Sequence, residues 1–208
     1  FTVLAILFID KLGRKPLLVF GLTGIAVCMG LLSYSFGNAT YTLDETDIAA
    51  YAEDIQPMLL AMDGQILDND VAFKNRLREV LGDELAIKHE SSLITAAISM
   101  NPSIVLIGIL GFVAAFAISI GPVMWVLFSE LFPIRVKGIA LSIVGFVNSG
   151  VSYLVQQFFP WELDTFGSST TFLIYGLFAA AGLIFVIIYV PETKGRSLEE
   201  LEEQLIRK

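Results

Sequence analysis

The sequence predicts an all-α membrane protein. Three observations carry that reading: apolar stretches long enough to cross a bilayer, basic residues gathered at every second connection, and an excess of acid confined to one polar insert. The chain of 208 residues is 55% hydrophobic and only 16% charged, and its mean hydropathy is +0.74. A soluble domain carries about 25% charged residues, so the deficit in charge is the sharper signal. Phe1 opens the sequence and residues 1–9 are apolar apart from Thr2. We read them as the end of a further apolar helix, and the chain as part of a longer protein.

An apolar helix needs about 20 residues to cross the hydrocarbon core. Four stretches meet that length. The first covers 16–36 and opens on Pro16, where a missing N–H costs nothing. The second covers 103–129 and follows Asn101-Pro102, a capping residue and then a proline. The third covers 138–160, and the fourth covers 170–190 and stops at Pro191. Asp, Glu, Lys, Arg and His are missing from all four, and Glu130 follows directly on the second.

Counting Lys and Arg in the short connections orients the spans. Lys11, Arg14 and Lys15 fill the first turn, Arg135 and Lys137 the turn two crossings later, and Lys194, Arg196, Arg207 and Lys208 the tail. The alternate connection, 161–169, has no basic residue. The three basic segments are therefore expected on the cytoplasmic side, with the carboxy terminus.

Residues 38–100 then lie on the opposite, extracytoplasmic side. They hold twelve acids and four bases, which accounts for the whole formal net charge of −8. Ile48, Tyr51, Ile55, Leu59 and Met62 recur at helical spacing despite Pro57, and so do Phe73, Leu77, Val80 and Leu81. Asp70 stands where a cap belongs and Gly82 where a helix stops. Two or three short amphipathic helices are expected, forming a lid that packs on itself and on the ends of the spans, with a docking surface or substrate gate as the alternative. In the tail, Ser197-Leu198-Glu199-Glu200 has the spacing of a capping box, and Leu198, Leu201, Leu205 and Ile206 mark one apolar face of a short helix.

Polar groups inside a membrane are costly and mark helix contacts or a solute path. Pro122 interrupts the second span and frees the carbonyl of Ile118, so a kink is expected there. Trp125, one turn later, offers a flat apolar face and one N–H; a place at the headgroup level is the alternative. In the third span Asn148, Ser152 and Gln156 are four apart and share one face, with Ser149 beside them. Amides carry both donors and acceptors, which suits either a hydroxylated solute or hydrogen bonds to a neighbouring helix. Cys28 is the one cysteine and reads as a packing residue, and His89 has no Cys or His at ligand spacing. Neither implies a cofactor or a metal. The sequence holds no nucleophile–base pair and no phosphate loop, and an enzyme is not expected.

The basic turns carry a second constellation. Asp10, Arg14 and Lys15 lie in one, Glu130 and Lys137 flank the next, and Glu192 and Arg196 follow the last span. Opposed charges at neighbouring helix ends can pair in one conformation and part in another; simple anchoring at the headgroups is the other reading.

These residues resemble a known family. Asp10-Lys11-Leu12-Gly13-Arg14-Lys15 is similar to the D-x-x-G-R-[RK] turn between the eighth and ninth helices of the major facilitator superfamily. Gly121-Pro122-Val123-Met124-Trp125 with Ser129-Glu130-Leu131-Phe132-Pro133 resembles the tenth helix of its sugar porter family, and Pro191-Glu192-Thr193-Lys194-Gly195 that family's P-E-T-K-G signature. The resemblance implies a carboxy-terminal half of a twelve-helix bundle: the end of helix eight and helix nine in 1–37, the acidic insert in 38–101, helices ten to twelve in 102–190, and a cytoplasmic tail in 191–208. It implies a monosaccharide carrier working by alternating access, proton-coupled or facilitative, in a cell membrane and beside an amino-terminal six-helix half, with no nucleic-acid partner. Phe116, Gly121, Trp125 and Asn148 would line the sugar pocket, with Ser149 and Ser152 alongside, while Asp10, Arg14, Lys15, Glu130, Lys137, Glu192 and Arg196 would form the gating network. A carrier of another small polar solute, such as a polyol or organic acid, and a non-transporting sensor on the same scaffold are the competing readings. Lys137 stands where the family has arginine and Ser149 where it has tryptophan, departures that touch the gate and the pocket wall.

Overall fold

The computed structural model describes residues 12–49, 51 and 55–195. The truncated first helix, Asp10, Arg196 and the tail helix after Ser197 lie outside the described residues. The described chain is mostly helical, with two strands of two residues each and a 3-10 turn at Leu60–Met62: α1 (Arg14–Gly37), β1 (Thr40–Tyr41), α2 (Glu45–Ile48), α3 (Gln56–Leu59), α4 (Asp70–Leu81), α5 (Asp83–Ala97), β2 (Ile98–Ser99), α6 (Pro102–Ile118), α7 (Ile120–Leu131) and α8 (Lys137–Tyr189). Among the described residues, three stretches are long and apolar enough to cross a membrane: α1, the 30 residues from Pro102 to Leu131, and the 53 residues of α8. The chain divides into two compact units.

The first unit holds the spans up to Gly30, from Leu106 to Phe159 and from Leu173 onward. Straight, α8 would extend about 80 Å, more than twice a bilayer core. It is broken at Gly167, whose φ of 79° and ψ of 166° are not helical. Phe159 and Tyr175 make an edge-on ring contact at 6.0 Å, although sixteen residues of unbroken helix would part them by about 24 Å. The chain therefore doubles back, and 137–166 and 168–189 are two antiparallel spans. The third span was expected to end at Pro160 and a loop to fill 161–169. Helix instead runs through Pro160 to residue 166, because a proline in a membrane helix forfeits one hydrogen bond without ending the segment, and the turn waits for a glycine that can take positive φ.

Helix α1 meets α6 through small residues. A Cβ at Gly21 would collide with the Ser119 hydroxyl, one at Gly24 would stand 3.0 Å from Ala115 Cβ, and one at Gly111 would stand 2.8 Å from Cys28 Sγ. Gly111 and Ala115 on α6 and Ser119 just past its end are four apart, so this ridge is stripped down to let two backbones approach. Leu17, Leu18, Val123, Leu127 and Val186 close the apolar core of this unit. By contrast 146–158 of α8 is exposed throughout.

The second unit comprises Leu31–Val105 and Pro160–Phe172. Its insert has a core of its own, built on Tyr41, Leu43, Ile48, Ile55, Leu59, Met62, Phe73, Leu77 and Leu93. Strands β1 and β2 pair antiparallel, Thr40 with Ser99 and Tyr41 with Ile98, so the insert leaves and rejoins the spans at one point. Gly82, at φ 76°, separates α4 from α5. Among the described residues of the insert, four α-helices form where two or three were expected. The cap of α4 is Asn69, whose side chain accepts the Ala72 N–H at 2.7 Å, and not Asp70, which is the first helical residue and points elsewhere.

Candidate functional site

Two constellations fall in the first unit. The first begins at Gly13, whose φ is +95°. The N–H groups that open a helix have no partner inside it, and here the Glu192 carboxylate supplies one: Oε1 accepts Arg14 N–H at 3.0 Å and Oε2 accepts Lys15 N–H at 3.1 Å. A Cβ on residue 13 would lie 2.7 Å from Glu192 Oε2, so glycine serves both the turn and the approach of the acid. The Arg14 guanidinium then points its fork at Glu130 at the end of α7, Nη2 to Oε1 at 2.7 Å and Nε to Oε2 at 3.2 Å. Two parallel charge-assisted bonds of this kind are geometrically selective. The Arg14 side chain is 13% exposed and that of Glu130 28%, so the pair is shielded more than a surface ion pair.

Thr193 completes the lock. It is 4% exposed, and its hydroxyl donates to Glu130 Oε2 at 2.6 Å. Glu130 and Glu192 thus hold the start of α1, the end of α7 and the segment after α8 together. Lys15 turns its ammonium to the Ile187 carbonyl at 2.8 Å. Lys137 opens α8 and makes no salt bridge among the described residues. Sequence reasoning missed Thr193 as a partner of Glu130, because it follows the last helix and no periodicity marks it.

The second constellation lies on α6, α7 and α8. The helix breaks at Ser119, with φ −119° and ψ −92°, three residues before Pro122. Ser119 is fully buried and its hydroxyl donates to the Ala115 carbonyl at 2.6 Å. Gly121 sits against Phe116, whose ring would be 3.5 Å from a Cβ placed there. Phe116 stacks on Phe112 at 6.3 Å, and Trp125 meets Phe128 edge-on at 6.5 Å. Phe116 and Trp125 stay 45% and 43% exposed. On the arm 137–166, Asn148, Ser149, Ser152 and Gln156 are all exposed, and among the described residues none bonds to another helix. Their amide and hydroxyl groups lie on the exposed surface of this arm.

The same residues mark the ancestry. The Sugar (and other) transporter family profile matches residues 1–52 and 85–205. The chain belongs to the sugar transporter family. It is 32% identical over 207 residues to the arabinose-proton symporter of Bacillus subtilis, covering 100% of this chain and 32% of that protein. It is 33% identical over 208 residues to the D-xylose-proton symporter of Escherichia coli, covering 97% and 30%. A facilitated glucose transporter, member 10 of solute carrier family 2 from Danio rerio, is 30% identical over 204 residues, covering 98% and 37%. The solved major facilitator proton:xylose symporter XylE, bound to 6-bromo-6-deoxy-D-glucose, superimposes with a TM-score of 0.62 at 29% identity, over 98% of this chain and 31% of that one. The chain thus spans about a third of these relatives, and its membrane location is multi-pass. Within the sugar transporter family, the Gly13–Arg14 turn, the Glu130 segment and the Glu192–Thr193 segment are joined here by direct contact.

Proposed function

We propose that the chain is the carboxy-terminal part of a carrier that moves a monosaccharide across a cell membrane by alternating access. The observation that carries this reading is likeness over the full chain to transporters named for arabinose, xylose and glucose. The geometry agrees with it. Open amide and hydroxyl groups on Asn148, Ser149, Ser152 and Gln156, with exposed faces of Phe116 and Trp125 and the bare backbone at Gly121, supply what a pyranose or pentose ring requires: hydroxyl partners and an apolar plate. In this reading the Arg14–Glu130–Glu192 lock lies on the cytoplasmic side and residues 38–101 outside, which the basic residues of the turns support. The lock closes the inner gate in one state and parts in the other, and Asp10, Lys15, Lys137 and Arg196 belong to the same gating network. Relatives include both proton symporters and a facilitated carrier, so either coupling fits. A polyol or organic acid is the competing solute, and a sensor the competing class.

The deciding experiment uses vesicles carrying the full-length protein and labelled pentoses and hexoses, with and without a proton gradient. Saturable uptake of a sugar is expected. Uptake of polyols or organic acids instead would replace the substrate, and binding without equilibration would make the protein a sensor.

A further inference from the structure

Residues 53–84 lie between the two segments that match the family profile, yet they carry a buried acid, Asp70, that faces out of the insert's apolar core. Asp70 is 8% exposed. Its Oδ2 accepts the Ser168 N–H at 2.8 Å and the Ser168 hydroxyl at 2.6 Å, while Oδ1 accepts the Val71 N–H at 3.0 Å. Ser168 begins the last helical arm, directly after Gly167. A Cβ on Gly167 would stand 2.6 Å from Asp70 Oδ1. One turn along α4, the Lys74 ammonium reaches Asp164 at 2.7 Å and Glu90 at 3.2 Å. The same turn is held to the end of α1: the Ser169 hydroxyl donates to the Ser33 carbonyl at 2.9 Å, and Phe172 stacks on Phe36 at 5.4 Å.

The arrangement repeats the one at Glu192. A helix opens beside a glycine of positive φ, its free N–H points outward, and a carboxylate distant in sequence covers it because the glycine leaves room. At Glu192 the capping acid belongs to the gate. At Asp70 the acid comes from a segment that the family profile does not match.

We propose that Asp70 is a positioning residue, and that α4, through Asp70 and Lys74, forms a clamp that caps the last span in trans and ties the segment 160–169 to the end of α1. The clamp makes these ends move as one piece while the carrier turns over. This rests on the carrier reading above. A carboxylate at a helix N-terminus is favoured by both the open N–H groups and the helix dipole. Lys74 adds a second tie to the same turn, so the turn cannot drift from α4 without breaking both.

The test compares wild-type, Asp70→Ala and Asp70→Asn full-length protein in lipid, by backbone hydrogen exchange and by sugar uptake. Asp70→Ala is expected to speed exchange across 164–170 at least tenfold while Phe73 to Leu81 stay protected. Turnover is expected to fall several-fold with KM within twofold, and Asp70→Asn, which keeps one acceptor oxygen, to recover part of both. Unchanged exchange overturns the clamp, and faster exchange with wild-type turnover overturns the positioning role. Should Asp70→Ala not fold, Lys74→Met is read in the same two ways. Wild-type protein that takes up no sugar but whose exchange responds to Asp70→Ala sinks the carrier reading and the turnover claim, and leaves the cap standing.

Discussion

Single side chains decide how the lock is wired. Arg14 delivers two parallel bonds to Glu130, and Thr193 takes one oxygen of the same carboxylate. Hydrogen bonds to charged groups contribute about 1.5–3 kcal/mol, so a double-mutant cycle of Arg14→Gln and Glu130→Gln should show coupling in that range. Thermal unfolding of the full-length protein measures it, and additive effects would mean the pair contributes nothing. Trp125 belongs to this scale too. Trp125→Ala is expected to weaken sugar binding by about tenfold, the loss of an aromatic contact of about 1–1.5 kcal/mol, with expression intact; unchanged affinity removes the indole from the pocket. Arg14, Lys15, Glu130 and Glu192 were legible as a cluster because they stand at helix ends that basic turns bring to one side. That Glu192 caps α1 through backbone N–H groups was not legible, since no sequence pattern reports a bond between residues 14 and 192.

At the scale of elements, the packing of α1 on α6 depends on side chains that are missing. Gly21 faces Ser119, Gly24 faces Ala115 and Gly111 faces Cys28. Gly21→Val should force the helices apart and cost about 1–3 kcal/mol or more, as overpacking does. Gly21→Ala should cost less, and Ser119→Gly placed beside it should restore part of the loss. Melting of the two single variants and the pair checks this; a harmless Gly21→Val would mean that α1 and α6 are not in contact in the membrane. The kink was expected from Pro122, and the break falls at Ser119, because proline displaces the residues one turn ahead of it and Ser119 can satisfy the Ala115 carbonyl with its own hydroxyl. Pro160 misled in the other direction. A proline signals a helix end in water, where the freed chain can turn, but inside a span the surrounding backbone bonds persist and the end falls at Gly167.

Across the whole molecule, two units answer to different physics. The membrane helices carry no net charge and depend on close approach of backbones. The insert carries the net charge of −8 and a small apolar core of its own. Its alkaline limit follows from two groups. Burial, with the Asp70 carboxylate nearby, pushes the Tyr41 hydroxyl up to about 12. Burial pulls the Lys74 ammonium down, but its bonds to Asp164 and Glu90 and their charges outweigh that and hold it above its ordinary value. A raised value in the folded state means stability that is whole below about pH 10, where the unfolded tyrosine begins to ionise. That stability is lost as pH climbs toward 12. Limited proteolysis between pH 9 and 12 should therefore cut the insert well before the spans, and Tyr41→Phe should move that loss to higher pH. Simultaneous cleavage of both units would contradict it.

The sequence by itself determined the class of protein, its long apolar helices and the motifs that tie the chain to its family. These follow from composition and period, because a bilayer demands long uncharged helices and water demands charge wherever the chain leaves them. Tertiary structure alone decided which groups touch: Thr193 on Glu130, Glu192 on the start of α1, Asp70 on Ser168, Gly21 against Ser119. Such contacts join residues tens to hundreds of positions apart, and a bond of that kind depends on where two folded backbones pass, which no local pattern encodes.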